Sequence, residues 1–390
     1  MGKGRYGKVA LSAVVLLIVV VVGSLMMMKL WGGPTEKLPS AVQRLVIEEQ
    51  MTLAEFGRAN GLADAVVGKA FGLTSAAGLQ QTLQSLRLSP AEITDRVNKT
   101  LAHVAEEGSK NWVKIAAKFG AWAIFLLAAF FMLKKRKSTP ALRKGFLLGA
   151  IVLFGVILGS DPSPMGTVKD TIVLLGKSGI IFPPRLVALT VMLILGTLLA
   201  NKLLCSWGCQ FGTLQDFLFR LGRDAEDRTG AIAQTKVPFV ISNGVRVSVL
   251  VILTAAAFGW ALDLVGMVDP FKIYNPAVLT GAGISFIALL LIASFFVYRP
   301  WCHFFCPFGL VGWLVEKISL YKIKVDYQTC IACGACAEAC PSTVMGAILK
   351  RDKTIPDCFS CGTCLETCPT KSIHFAAGKR ERPPEGKFKG

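Results

Sequence analysis

The chain has 390 residues, of which 53% are hydrophobic and only 17% are charged. A soluble protein of this length normally carries more charge, so the composition favours a membrane protein. The formal net charge of +18 could suggest nucleic-acid binding, but the basic residues cluster at predicted membrane boundaries, where they mark the cytoplasmic side. We therefore predict no nucleic-acid partner and expect a multi-pass protein of the bacterial inner membrane.

The apolar residues fall in blocks, each about long enough to cross the hydrocarbon core of a bilayer, roughly 30 Å, as a helix. The first block follows three basic residues and has no small-residue cleavage site, so residues 1–30 are predicted to be a retained signal-anchor helix. The third block is shorter than the others and is a weaker candidate. The fold class is thus an α-helical multi-pass membrane protein of about six spans, with blocks at residues 9–29, 112–133, 145–159, 186–204, 245–266 and 280–298.

The basic run at residues 134–144 fixes the predicted orientation. With the N-terminus inside, six spans place this run and everything after the last span in the cytoplasm. Residues 31–111 then lie on the extracytoplasmic side, where short amphipathic segments at 52–59, 62–71 and 91–105 predict a small helical domain. The remaining predicted domains are a membrane domain at 112–320, a cofactor domain at 321–378 and a basic tail at 379–390.

Two cysteine runs with the spacing CxxCxxCxxxCP stand at residues 330–341 and 358–369. In such a pair, three cysteines of each run ligate one [4Fe–4S] cluster and the fourth ligates the other cluster. A structural zinc site does not require two runs of this spacing, so we do not interpret them as zinc sites. Residues 321–378 are therefore predicted to form an α+β bacterial two-cluster ferredoxin domain on the reducing, cytoplasmic side. The predicted ligands are Cys330, Cys333, Cys336 and Cys368 for cluster 1, and Cys358, Cys361, Cys364 and Cys340 for cluster 2.

Four further cysteines form an internal repeat: Cys205 and Cys209 end one predicted span, and Cys302 and Cys306 end another. Residues four positions apart share one face of a helix, so each pair could present two thiolates to the other at the membrane edge. Four thiolates would suffice for a further Fe–S cluster or a metal ion. The alternative is that these are reduced cysteines packing as small hydrophobes. His303 is either an extra ligand or an ordinary interfacial residue.

Other cofactors lack their motifs. There is no CxxCH sequence, and no two of the three histidines, His103, His303 and His374, share a predicted span, so no haem is expected. No GxGxxG follows a strand and no P-loop occurs, which gives no support for a nicotinamide nucleotide or ATP bound by those folds.

The duplicated cysteine pairs followed by the double ferredoxin run resemble the NapH/NosR-type membrane-bound polyferredoxins over roughly residues 200–375. The resemblance implies quinol-linked electron transfer between the membrane and a redox enzyme, often a periplasmic one. In that family each cysteine pair commonly runs into a proline. Here Cys306 precedes Pro307 but Cys209 precedes Gln210, which sets the two halves apart. Larger members carry a flavin attached covalently at an SGAT-like motif; this chain lacks the motif, so no covalent flavin is predicted.

These observations favour an electron-transfer protein, more a subunit of an oxidoreductase system than a stand-alone enzyme. It would exchange electrons between the quinone pool, or a cytoplasmic donor, and a partner redox enzyme. One alternative is a CcoG-like metal-reducing assembly factor for a respiratory oxidase. The other is a membrane redox sensor whose output is the outer helical domain.

Overall fold

The computed structural model of the chain describes residues 3–31, 45–48, 50–73, 75–108, 111–179, 182–223, 232–350 and 352–388. Within these residues the fold is mainly α-helical, with a single two-stranded sheet. Residues 32–44, near the start of the predicted extracytoplasmic segment, and the last two residues of the predicted tail lie outside the described residues.

Within the described ranges, four helices are long and apolar enough to cross a membrane. In the most apolar windows of the first two, only 28% of the residues are buried inside the protein, so most of their apolar side chains face outward, as they would toward lipid. The third begins at Pro140 because the Thr139 side chain accepts a hydrogen bond from the Leu142 N–H and caps the helix. The four are α1 (Lys3–Trp31), α5 (Trp112–Lys134), α6 (Pro140–Ala150) with its π-helical continuation Ile151–Ile157, and α10 (Phe239–Trp260).

The predicted count of about six full spans is only approximate. The weak candidate at 145–159 is a full-length helix, but the blocks at 186–204 and 280–298 form shorter ones: α8 (Pro183–Leu193), continued as a π-helix to Leu198, and α11 (Gly281–Ala293). The chain turns out of the first block where Asn201 and Lys202 adopt positive φ, and out of the second where Arg299 does. A left-handed residue cannot continue a right-handed helix, so neither segment runs on as one continuous helix into its cysteine pair.

Each of these turns leads into a cysteine pair and then into a second short helix. The first unit passes through a π-helical turn (Leu204–Gly208) into α9 (Gln210–Leu221). The second passes through α12 (Pro300–Phe304) into α13 (Pro307–Glu316). The internal repeat seen in the sequence is therefore a repeat in structure. Before these units, α7 (Pro164–Ser178) follows the third long helix.

The C-terminal domain pairs strand β1 (Tyr321–Val325) antiparallel with β2 (Ile373–Ala377), with Tyr321 opposite Ala377. Its helices are α14 (Ala335–Ala339), α15 (Val344–Lys350) and α16 (Thr363–Thr367). The domain packs where α5 ends: the rings of Phe130 and Tyr321 lie 4.8 Å apart, and the Arg136 guanidinium donates to the Leu365 and Ile373 carbonyls at 2.9 and 2.8 Å. We call this face the ferredoxin side. The two domains share one hydrophobic core.

A separate small domain follows α1 on the other side. It contains α2 (Leu53–Ala59), α3 (Asp64–Phe71), two 3-10 turns (Ala76–Gln80 and Leu83–Leu86) and α4 (Pro90–Gly108). Its own core comprises Leu53, Phe56, Leu62, Val67, Leu83, Ile93 and Val97. Thr52 and Glu55 form a capping box at the start of α2. The three amphipathic segments predicted from the sequence correspond to α2, α3 and α4.

Candidate metal centres

The four cysteines predicted for cluster 1 line a single cavity of about 340 Å³. Gly334 follows the second of them with φ of 75°, a left-handed conformation that lets the chain bend around the cavity and begin α14. Cys333 is exposed and the other three are half-buried. This centre is thus the one nearest to solvent.

The four cysteines predicted for cluster 2 line another cavity, of about 380 Å³. Gly362 repeats the left-handed turn with φ of 81°. Three of the four thiols are buried, and Cys361 is half-buried. Burial alone would raise the pKa of the Cys361 thiol, but the guanidinium groups of Arg220 and Arg143 hold it below its usual range.

The fourth cysteine of each run lies with the other run, as the spacing predicts. Cys340 ends α14 and joins the cavity of the second run, while Cys368 ends α16 and joins the cavity of the first. In the described part of the chain, no three His, Cys, Asp or Glu side chains lie close enough to hold a single metal ion. The ligands of a cubane are set further apart, one at each iron.

The C-terminal tail covers the first cavity, a contact that sequence reasoning missed. Phe388 lines that cavity, and its ring lies 6.0 Å from the ring of Tyr327. Arg380 Nε donates to the Ile323 carbonyl at 3.0 Å and holds the start of the tail against β1. The one signal in the sequence was an aromatic residue in an otherwise basic tail.

The remaining four cysteines, which we call the intramembrane cysteine site (Cys205, Cys209, Cys302 and Cys306), are all buried and free. Cys209 is the N-cap of α9 with φ and ψ of −74° and 112°, and Cys306 is the N-cap of α13 with −74° and 115°. Backbone N–H groups of the first helical turn donate to these sulfurs, from Gly212 to Cys209 and from Gly309 to Cys306. Both helix N-termini therefore point their unpaired N–H groups and positive dipole ends at thiols, an arrangement suited to thiolates.

Glycine is needed at matching positions of the two helices. A Cβ atom on Gly212 would lie 3.0 Å from the Cys205 carbonyl oxygen, and one on Gly309 would lie 2.8 Å from the Cys302 carbonyl oxygen. The close approach of each helix to the preceding turn positions the N–H groups against the sulfurs.

A basic residue stands three positions before the first cysteine of each unit and reaches across to the other unit. Lys202 Nζ donates to the Gly309 carbonyl at 2.7 Å. Arg299 donates to the Cys205 carbonyl and, at 2.9 Å, to the Ser206 carbonyl, and pairs with Asp216 at 2.6 Å. Sequence reasoning missed both residues, although their equal spacing from the cysteines was a signal.

The site lies deeper than the membrane edge at which the sequence analysis placed it. Trp122 Nε1 donates to the Gly208 carbonyl at 2.9 Å. Trp122 lies near the middle of α5, about 15 Å along the helix axis from Trp112. The chain therefore turns back after α8, and Gly208 and Cys209 reach the mid-depth of the neighbouring span. Pairs of short helices that meet at mid-depth with their N-termini inward are a known way to build a buried ion site.

The charges around the site fit an anionic group. Electrostatic interactions connect Cys306 with each of the other three thiols. Lys202 and Arg299 are buried and reach the backbone of the two cysteine units. Buried charge has to be compensated, and thiolates with a bound cluster would offset part of this positive charge.

The intramembrane site and the second ferredoxin cavity are in contact through Phe359, the residue after Cys358. Its ring centre lies 5.2 Å from the Arg299 guanidinium and 5.4 Å from Lys202 Nζ. His303 stacks on the same ring at 5.3 Å, so its imidazole packs between the two centres. Trp207 Nε1 also donates to the Ser360 carbonyl at 3.2 Å.

Sequence profiles of known families match the same segments. The profile of the 4Fe-4S dicluster domain matches residues 322–369. That of a 4Fe-4S binding domain matches twice, at residues 182–228 and 279–326, and each match contains one cysteine pair of the intramembrane site.

The chain is 31% identical over 169 residues to the "Putative electron transport protein YccM" of Escherichia coli, covering 40% of this chain and 46% of YccM. It is 26% identical to the "Uncharacterized protein MJ0750" of Methanocaldococcus jannaschii, over 41% of this chain and 67% of that protein. It is also 26% identical to the "Regulatory protein NosR" of Pseudomonas aeruginosa, over 35% of this chain and 19% of NosR. In these segments the chain resembles the NapH/NosR-type 4Fe–4S membrane proteins. The chain spans less than half the length of YccM, and no solved structure matches it.

Proposed function

We propose that this protein transfers electrons between the membrane quinone pool, or a cytoplasmic donor, and a partner redox enzyme through three successive centres. The observation that carries the proposal is the order of the three cysteine sets. The first is near solvent, the second is buried behind it, and the third is in the membrane and contacts the second through Phe359.

The proposed ligands follow from this arrangement. Cys330, Cys333, Cys336 and Cys368 hold one [4Fe–4S] cluster, and Cys340, Cys358, Cys361 and Cys364 hold another. The four thiolates of the intramembrane cysteine site hold a third. When bound, these clusters supply one-electron carriers.

Residues of the protein set the charge around the third centre and the accessibility of the first. Lys202 and Arg299 place positive charge beside the third site, which would offset part of the cost of burying thiolates there. Exposure of Cys333 and Ile331 at the first centre suits docking of a soluble redox partner. With the ferredoxin side in the cytoplasm, the small helical domain of α2 to α4 lies on the extracytoplasmic side of the inner membrane.

Metal analysis of anaerobically purified full-length protein tests the third centre. We expect about twelve iron atoms per chain, against about eight if only the ferredoxin centres are filled. Cys209→Ser together with Cys306→Ser should remove one centre and leave the interacting EPR signals of the two ferredoxin clusters. Cys336→Ala is the matched control and should disturb those signals.

Wild-type iron content in the Cys209/Cys306 double variant would exclude a third cluster. Copper in place of iron at this site would favour a metal-handling role, and zinc in the ferredoxin cavities would overturn the whole proposal. A C-terminal reporter fusion active only outside the cell would contradict the orientation.

A further inference from the structure

A cavity of about 540 Å³ lies between α5, α7 and α8, on the side of the membrane domain away from the ferredoxin side. Aromatic rings of Trp112, Phe119 and Phe182 form much of its wall. Trp112 is 46% exposed and Val187, the neighbour of the lining residue Ala188, is 61% exposed, so the cavity lies beside a surface that would meet lipid.

Polar groups converge on the cavity from two directions. Asp161 contributes an exposed carboxylate from the loop before α7. On the other side, the Arg185 guanidinium is held by Asp170 at 2.5 Å, and Lys169 pairs with the same carboxylate at 2.8 Å. Burial would raise the pKa of Asp170, but Lys169 and Arg185 hold it below its usual range, so this carboxylate stays charged and fixes Arg185. The cavity therefore offers one donor fixed by Asp170 and one exposed carboxylate as an acceptor.

Two aromatic side chains connect the cavity with the intramembrane cysteine site. Phe119 lines the cavity and meets the Trp122 ring edge-to-face at 5.5 Å. Trp122 in turn donates to the Gly208 carbonyl, next to Cys209. Beside this path, Lys118 Nζ donates to the Gly159 carbonyl at 2.8 Å, two residues before Asp161. Two aromatic side chains would thus connect a ligand in the cavity with the backbone beside Cys209.

We propose that this cavity binds the ring of a membrane quinone, with Arg185 donating to one ring oxygen and Asp161 accepting a proton from the other when the ring is a quinol. The ligand is assigned by four coincident features: aromatic side chains in the wall, one donor and one acceptor, an adjoining apolar surface that would meet lipid, and a path of two aromatic side chains to a redox site. Oxidation of a quinol to a quinone releases two protons and two electrons. The protons leave through Asp161 to water, and the iron–sulfur centres accept the electrons one at a time. The inference rests on the proposed function and assigns the site at which the membrane carrier reacts.

Binding of short-chain quinones to the full-length, detergent-solubilised protein tests the site directly. We would titrate ubiquinone and menaquinone analogues separately by isothermal titration calorimetry, because the two ring types share the chemistry that the cavity recognises. Ala188→Trp fills the cavity from α8 and should weaken binding by at least about tenfold, or 1.4 kcal/mol. Val187→Trp places the same ring on the neighbouring, outward-facing position and should bind as the wild type does.

Asp161→Asn separates binding from proton transfer. It keeps the size of the side chain, so we expect quinone affinity within about twofold of the wild type and a slower reduction of the iron–sulfur centres by quinol. Iron content and EPR spectra should be the same in all three variants, which shows that they fold. Absence of quinone binding to the wild type, or equal binding by the two tryptophan variants, would overturn the assignment. Wild-type iron content in the Cys209/Cys306 double variant, by contrast, would refute the third centre of the proposed function and leave quinone binding intact, so the two proposals fail separately.

Discussion

Asp357 joins the ferredoxin loop to the membrane domain, and its replacement by asparagine should loosen that junction. Its carboxylate lies 2.5 Å from Arg246 Nη1 and 3.0 Å from Lys202 Nζ, and all three side chains are buried. Burial would raise the pKa of Asp357, but Lys202 and Arg246 hold it below its usual range. Asp357→Asn preserves the shape and one acceptor oxygen but leaves two buried cations without their counter-charge. Removing one partner of a buried pair costs about 3–5 kcal/mol, and the remaining oxygen places this case near 3 kcal/mol.

Thermal unfolding and limited proteolysis of the full-length protein measure this loss. We expect a lower unfolding temperature and faster cleavage near residue 357, with Asp352→Asn, at an exposed carboxylate of the same domain, as the matched control. A carboxyl group whose folded pKa is depressed stabilises the protein above its unfolded pKa, so the difference between the variant and the wild type is full at neutral pH. It should shrink only as the pH falls below about 3.9. Equal unfolding temperatures of the two variants at neutral pH would refute the role of this ion pair.

Two further predictions concern the metal centres. Gly309→Ala adds a Cβ atom 2.8 Å from the Cys302 carbonyl and should displace the N–H that donates to Cys306, at a cost of about 1–3 kcal/mol. We expect it to lower bound iron, whereas Gly244→Ala, whose Cβ atom meets nothing within 4 Å, should leave the iron content unchanged. Phe388→Ala uncovers the first ferredoxin cavity and should speed loss of its visible absorbance in air several-fold, while Lys379→Ala, at an exposed tail position, should not. Equal bleaching rates of these two tail variants would show that the tail does not shield the cluster.

The ferredoxin domain could be predicted from the sequence because the spacing of its cysteines along the chain determines how they ligate a cluster. Two residues between cysteines and a proline after the fourth dictate how the chain wraps a cubane, and the structure places both predicted sets around separate cavities. The paired units could be predicted for the same reason. Their contact could not, because it depends on Phe359, an ordinary aromatic residue whose position only the folded chain defines.

Hydropathy alone could not distinguish a crossing helix from a short one that turns back. α8 and α11 are short apolar helices, and the positive φ values of Lys202 and Arg299 mark where the chain turns after them. A charged residue inside an apolar region usually indicates a boundary. Here the charge is buried and paired: Arg299 binds Asp216, which places a polar segment at membrane depth. The depth of the cysteine site therefore follows from ion pairs that no window average detects.

The first cysteine pair is followed by Gln210 where the family commonly has a proline. This difference explains why the proposed quinone cavity lies beside only one half of the repeat. In the second half Pro307 starts α13 without a backbone N–H and without a polar side chain. In the first half Gln210 Nε2 donates to the Ser160 carbonyl at 2.8 Å, and the Gln210 carbonyl accepts from the Tyr274 hydroxyl at 2.8 Å. Ser160 immediately precedes Asp161. The start of α9, and with it Cys209, is thus tied to the loop that supplies the cavity's carboxylate, and a proline at this position would break the link between the two sites.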